Sequence, residues 1–408
     1  MTEGAGAASR TPWLMLSVVS LAQFLGMTLW FSATAVAPLL IDEFQISPDH
    51  AAWLTMAVQA GFVAGTLLSA VSNIADVFNP RVLMFIGSLV GACANAAVLV
   101  APSGSMVIAL RFVTGASLAL VYPPAMKIAA GWFRGGRGFA LGLLIGALTL
   151  GKAFPHLLTT MFGAEWRPPM LLASALALVG GALVVLIVRD GPYVAPTAPF
   201  DPRAITRVLS SRGARLATFG YLGHMWELYA MWTWVAVFAT ASLAASGNTD
   251  AYSAGSLAAF IAIGSGAVGC ALAGYIADRI GRARVAMWAM LGSAACAGLT
   301  LVVYGRSPIL LYALIVVWGF CVVADSAQFS ALVSEHAPRD HVGTALTLQT
   351  CIGFLLTMVT IELLPRVAAA TSWRWASLLL VPGPLLGAWA MSRLRAPRSG
   401  APRTRAAE

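Results

Sequence analysis

Apolar residues in this chain fall in long unbroken stretches, separated by short polar segments that carry most of the arginines. An apolar run of about 20 residues is long enough to cross a bilayer as a helix. Such runs lie at roughly 13–40, 51–72, 82–101, 105–132, 137–162, 168–189, 215–243, 251–276, 285–304, 308–334, 341–363 and 373–392. They predict an all-α membrane protein with twelve transmembrane helices, spans 1 to 12. The short alternating segments of an outer-membrane barrel are missing. The longest connector is rich in Pro and Arg and divides the spans six and six. The expected organisation is an N-terminal six-helix half (1–189), a cytoplasmic linker (190–214), a C-terminal six-helix half (215–392) and a basic tail (393–408). Arg10, an apolar run and "ATAVA" at 33–37 also fit a cleaved signal peptide, but the run exceeds the usual length of one. It is read as an uncleaved first span.

The two sets of spans echo each other. "IAD" at 74–76 returns at 276–278, each after the second span of its set. "WR" at 166–167 returns at 373–374 before the last span, and "RGFAL" at 137–141 is answered by "VGTAL" at 342–346 at the start of the fifth. Parallel six-helix repeats are a transporter architecture whose site lies near the midplane, between the repeats.

Composition agrees with a membrane protein: 59% of residues are hydrophobic, 10% are charged, and mean hydropathy is +0.82. A soluble domain carries about 25% charged residues. The net charge of +9 needs no nucleic acid to explain it. Eighteen arginines fall on the side that holds both termini and five on the other, which places the termini in the cytoplasm by the positive-inside rule. A bacterial-type inner membrane is expected. Cys93, Cys270, Cys296, Cys321 and Cys351 lie inside apolar runs at no ligand spacing, as packing residues do. No phosphate loop, nucleophile elbow or metal cluster is present in the sequence. The chain is therefore read as a non-enzyme with no metal or cofactor.

"GYIADRIGRARV" at 274–285 joins spans 8 and 9. Gly274, Asp278, Arg279, Gly281 and Arg282 resemble the loop signature of the major facilitator superfamily. Its glycines permit a tight turn and close helix approach, and its Asp can pair with an Arg. The resemblance implies a latch that holds the two halves in one state and opens in the other. The first-half copy, "SNIADVFNPRVL" at 72–83, keeps Asp76 and Arg81 but has Ser72, Asn79 and Pro80 at motif positions. That latch is expected to be weaker or differently built. Arg111, Gly115, Arg137 and Gly138, within 111–142, are similar to the fourth span and following loop of the same superfamily. The likeness covers nearly the whole chain and fixes no branch or substrate.

Charge inside an apolar run is costly and marks a pathway or a pairing. Interior charges fall on spans 4, 5, 7, 10 and 11 and leave spans 3, 6, 9 and 12 bare. In the superfamily those four spans form the outer support. From the 1.5 Å rise per residue, Lys152, Glu227 and Asp325 lie within about 6 Å of their span centres. Thr149, Lys152, His156 and Thr160 share one face of span 5; Tyr221, His224, Glu227, Met231 and Trp234 share one face of span 7; Asp325 and Gln328 share a face of span 10. The double proline at 123–124 and Pro155 are hinges or simple kinks.

These positions predict a secondary transporter of a small solute working by alternating access, in the lipid bilayer, as a monomer. Lys152, His156, Trp234, Gln328 and Arg111 are the expected substrate-binding residues. Glu227, His224 and Asp325 are the expected proton-coupling residues, with His224 or Lys152 as the alternating partner of Glu227. Glu227 or Asp325 is also expected to balance Lys152 while the site is empty. Lys152 favours a small organic or inorganic anion. Glu227 and Asp325 beside Trp234 leave open a proton-driven exporter of cationic amphiphiles. A non-transporting receptor or assembly factor on the same fold is the alternative from another class. Structural roles remain open for Glu227 and Asp325 as helix-locking pairs, and for Arg111 as a snorkelling side chain.

Overall fold

The computed structural model describes residues 3–133, 137–193, 205–338 and 341–394. Residues 194–204 of the linker and 395–408 of the basic tail lie outside these residues, as do the side chains of Asp76 and Arg137 and the burial of Gly138. Among the described residues eleven helical stretches are long and apolar enough to cross a membrane, and the shorter apolar stretch Thr11–Met27 adds a twelfth.

Local chemistry sets many of the helix ends. Asn79, Ser103 and Ser211 accept from the backbone N–H groups of Arg81, Met106 and Ala214, capping the starts of spans 3, 4 and 7. Prolines open spans 3, 6 and 10, where a missing N–H costs nothing. Gly281, at φ +97°, ends span 8 (Ala251–Ile280) and starts span 9 (Arg282–Val303). A side chain rarely adopts that conformation, so the loop glycine has a definite reason.

Among the described residues spans 1, 4, 10 and 12 depart from a single α-helix, span 12 running as Trp373–Ala376, a 3-10 turn at Ser377–Leu380 and Pro382–Arg393. Span 1 was expected as one run over 13–40. Its first helix ends at Met27, a turn follows at 28–31, and the chain resumes as Ser32–Ala35 and Ala37–Glu43. Span 4 divides into Gly104–Leu118 and Tyr122–Trp132, which puts the double proline in the first turn of the second piece. Span 10 divides at Asp325 into Pro308–Ala324 and Ser326–His336. Spans 4 and 10 occupy equivalent places in the two sets. Irregular backbone at membrane depth survives only where protein or a cavity satisfies it. Span 5 (Arg137–Phe162) stays helical through Pro155.

Packing separates two groups of helices. Spans 3, 6, 9 and 12 pack within their own half, while spans 5 and 8 and spans 2 and 11 join the halves. Spans 2 and 4 approach so closely that a Cβ on Gly115 would run into the carbonyl of Val58. Gly319 of span 10 meets the carbonyl of Ala262 on span 8 in the same way.

Candidate functional site

Lys152 sits at the junction of the halves and is 3% exposed. Its Nζ donates to the Tyr229 hydroxyl at 2.5 Å. The same atom lies 4.0 Å from the centroid of Trp30, 4.8 Å from that of Tyr229 and 5.4 Å from that of Trp232. Span 1 supplies Trp30, and span 7 (Arg212–Ala245) supplies the other two. No carboxylate lies within ion-pairing distance among the described residues, so the expected balance by Glu227 or Asp325 is absent. Aromatic faces take that place, since their quadrupoles attract a cation without bringing an opposite charge. Phe62 and Phe354 extend the cage across the interface: Trp30–Phe62 is 5.1 Å between ring centroids, Phe62–Phe354 4.9 Å and Tyr229–Phe354 5.0 Å.

The shell around Lys152 is rich in unused donors. The indole N–H groups of Trp30 and Trp232 are buried without a hydrogen-bond partner. His156 is fully buried, and both of its ring nitrogens lack one. Gln59, one turn from Phe62, accepts from Thr357 and keeps an unpaired amide nitrogen. The hydroxyls of Thr149 and Thr160 donate to the carbonyls of Ile145 and His156, so they turn back into their own helix.

Arg111 does not snorkel. It is fully buried and caps the break in span 1, with Nη2 donating to the carbonyls of Leu29 (2.9 Å) and Trp30 (2.7 Å). Its Nη1 donates to Ser32 Oγ and to Asn95 Oδ1. Asn95 in turn donates to Met170 O and Ser174 Oγ on span 6. The guanidinium fork therefore replaces the helix hydrogen bonds lost at the turn. It holds the backbone of Trp30, and through it the ring beside Lys152. Both of its Nη atoms are thereby taken up inside the protein, while Nε has no partner among the described residues.

The polar face read on span 7 is split by the fold. Glu227, 1% exposed, turns away from Lys152 and accepts from Ser293 Oγ (2.8 Å, span 9) and Trp318 Nε1 (2.6 Å, span 10). Neither Lys152 nor His224 is its partner. His224 instead meets Asp325: Nδ1 and Oδ1 are 2.8 Å apart, close but not aligned as a hydrogen bond. Its Nε2 is 3.0 Å from Ser326 Oγ. The pair stands where span 10 breaks. Trp234 donates to the carbonyl of Ile361 and packs on Trp373, and Gln328 accepts from Arg282. Both lie away from the cage. The residues on span 7 that face Lys152 are Tyr229 and Trp232, on the side opposite Glu227.

A profile of the Major Facilitator Superfamily matches residues 19–355 and, in a second overlapping match, 228–408. The chain belongs to the major facilitator superfamily. It is 25% identical over 307 residues to a Cupriavidus necator protein named "Probable sulfoacetate transporter", covering 69% of each chain. It is 27% identical over 190 residues to a lincomycin resistance protein of Streptomyces lincolnensis, covering 45% of this chain and 38% of that one. An uncharacterized transporter of the same superfamily from Bacillus subtilis is 26% identical over 193 residues, covering 46% of each. This chain spans less than half the length of the latter two.

The superfamily loop at 274–285 is built around Arg282. Its Nε lies 2.9 Å from Glu335, its Nη1 3.3 Å from Gln328 and its Nη2 3.4 Å from Asp278. Among the described residues these partners are all in the second set of spans, and they tie span 9 to spans 8 and 10. Arg279 pairs with Tyr275, and the cleft of about 1070 Å³ beside the loop is lined by 277–284, Glu335 and His336. The first-half loop is differently built. It turns at Asn73, at φ +52°, and Asn79 caps span 3. Arg81 pairs with Asp190 at 3.0 Å and donates to the carbonyl of Val188.

Proposed function

We propose that this superfamily member is a proton-coupled secondary transporter of a small organic anion, which binds at Lys152 between the two halves. The observation that carries the reading is a buried lysine with no carboxylate partner among the described residues, ringed by N–H donors that none of those residues accepts from. A buried donor left unpaired costs about 1–3 kcal/mol. A ligand rich in acceptor oxygens and negative charge removes that cost and balances the ammonium. The relative named a probable sulfoacetate transporter is named for such an anion, which supports the same class here.

Coupling is assigned to the His224–Asp325 pair. It is buried, both groups are titratable, and it sits at the break in span 10, where a change of charge acts on backbone geometry. Glu227, held by two donors, is the second candidate. The arginine distribution supports a reading with both termini on the cytoplasmic side of an inner membrane.

The test is equilibrium binding of short carboxylates and sulfonates to the purified protein and to Lys152→Ala. Lys152→Ala weakens binding at least tenfold, which is about 1.4 kcal/mol. A second reading rests on the cage itself, because three aromatic faces also suit a cationic drug once Lys152 swings away. The match to a lincomycin resistance protein favours looking for one. If the tightest ligand is a cation, and Lys152→Ala binds it as well or better, the anion reading is wrong.

A further inference from the structure

His156 is the buried polar group that the reading above leaves unused. Its imidazole is fully enclosed, and neither ring nitrogen has a partner among the described residues. The position is also specific. His156 follows Lys152 by four residues on one continuous helix, so the two side chains share a face with their Cβ atoms about 5–6 Å apart.

The neighbouring groups do not satisfy it. Thr160 spends its hydroxyl proton on the carbonyl of His156, and Thr159 donates to the carbonyls of Pro155 and Ala35. Phe31 lies 6.3 Å away between ring centroids and offers only a ring face. On its other side Phe31 meets Trp232, whose indole N–H is also unpaired, at 6.1 Å. Lys152 and Trp30 stand together, His156 lies one helical turn along beside Phe31, and Trp232 meets both Lys152 Nζ, 5.4 Å from its ring centroid, and Phe31.

We propose that the site takes a short two-headed acid, with one anionic group on Lys152 and the second on His156. This deepens the anion reading and rests on it. Acids whose two heads are separated by one or two carbon atoms match the reach, given bonds of about 1.5 Å. A one-headed acid fills the Lys152 end and leaves the His156 nitrogens unpaired in a buried place, which penalises it. Selectivity thus comes from a second buried group that must be satisfied, the arrangement that discriminates most strongly against an analogue lacking the matching atoms.

The experiment compares malonate and sulfoacetate, which have two heads, with acetate and methanesulfonate, which have one. Each is titrated against the full-length detergent-purified protein, Lys152→Ala, His156→Phe and His156→Gln, with monodispersity checked for every variant. The protein binds the two-headed acids at least tenfold more tightly than the one-headed ones. His156→Phe removes that preference, lowering two-headed binding far more than one-headed binding. His156→Gln, which restores an N–H donor, recovers part of it and decides the matter if the Phe variant does not fold. One-headed acids that bind as tightly as two-headed ones, or a preference that survives in both His156 variants, overturn this inference alone. If no acid binds in a Lys152-dependent way, the underlying anion reading falls with it.

Discussion

Arg111 and Tyr229 show what single side chains contribute here. Arg111 supplies the donors for two main-chain carbonyls that the turn in span 1 sets free. Arg111→Leu leaves the Trp30 carbonyl unpaired, at about 1–3 kcal/mol, and leaves the Leu29 carbonyl with Ser32 Oγ alone. Arg111→Lys does little better, because a point charge cannot span the fork's four acceptors. Both variants lower the thermal midpoint in detergent, and both weaken ligand binding because Trp30 loses its anchor. A midpoint within a degree or two of the parent removes the capping role. Tyr229 separates ring from hydroxyl. Tyr229→Phe keeps the ring beside Lys152 and loses one hydrogen bond, so binding falls by less than about tenfold, whereas Tyr229→Leu loses both and falls further. Equal losses in the two variants show that the ring contributes nothing.

At the scale of elements, the close pairs are spans 2 with 4 and 8 with 10, drawn together at Gly115 and Gly319. The atoms these glycines face are backbone carbonyls, which cannot rotate away as a side chain would. Gly115→Ala and Gly319→Ala therefore push whole helices apart, and overpacking of this kind costs about 1–3 kcal/mol or more. Gly298 on span 9 faces open space, and Gly298→Ala is the control that leaves stability unchanged. Fluorescence-detected size exclusion after a heating series reads all three. Parental melting in Gly115→Ala contradicts the packing seen at that pair.

Two consequences belong to the whole molecule. If His224–Asp325 couples protons, Asp325→Asn abolishes accumulation against a pH gradient in proteoliposomes and retains exchange between equal compartments. Glu227→Gln, whose amide still accepts from Ser293 and Trp318, keeps both activities to a large degree. The reverse pattern moves coupling to Glu227. The loop at 274–285 is proposed to act on the conformational equilibrium. Asp278→Asn then depresses transport far more than it depresses the amount of folded protein, and Asp76→Asn has the smaller effect. Equal transport by Asp278→Asn and the parent chain rules that out.

Much of this molecule is legible in the sequence because the bilayer imposes a one-dimensional constraint. An apolar run of given length has to cross as a helix, so the spans can be read without knowing their neighbours. Asp278, Gly281 and Arg282 are legible for a related reason, since a tight turn and its ion pairs are local in the chain. The breaks in spans 1 and 10 are not. The groups that meet them lie on other helices, Arg111 on span 4 and His224 on span 7. The site divided along the same line. Lys152 and His156 stand out as charge and imidazole inside an apolar helix, and their shared face follows from spacing. Trp30, Tyr229 and Trp232 do not stand out, because an aromatic residue in a membrane helix looks the same whether it packs on lipid, on protein or around a cation. Spacing grouped Glu227 with His224 and Trp234, but it could not say which neighbour that face meets. Only the rotation of span 7 in the bundle decided that Tyr229 and Trp232 point to Lys152 while Glu227 points to spans 9 and 10. Rotation about a helix axis is set by the sum of packing contacts with other helices, and no short stretch of sequence contains that sum.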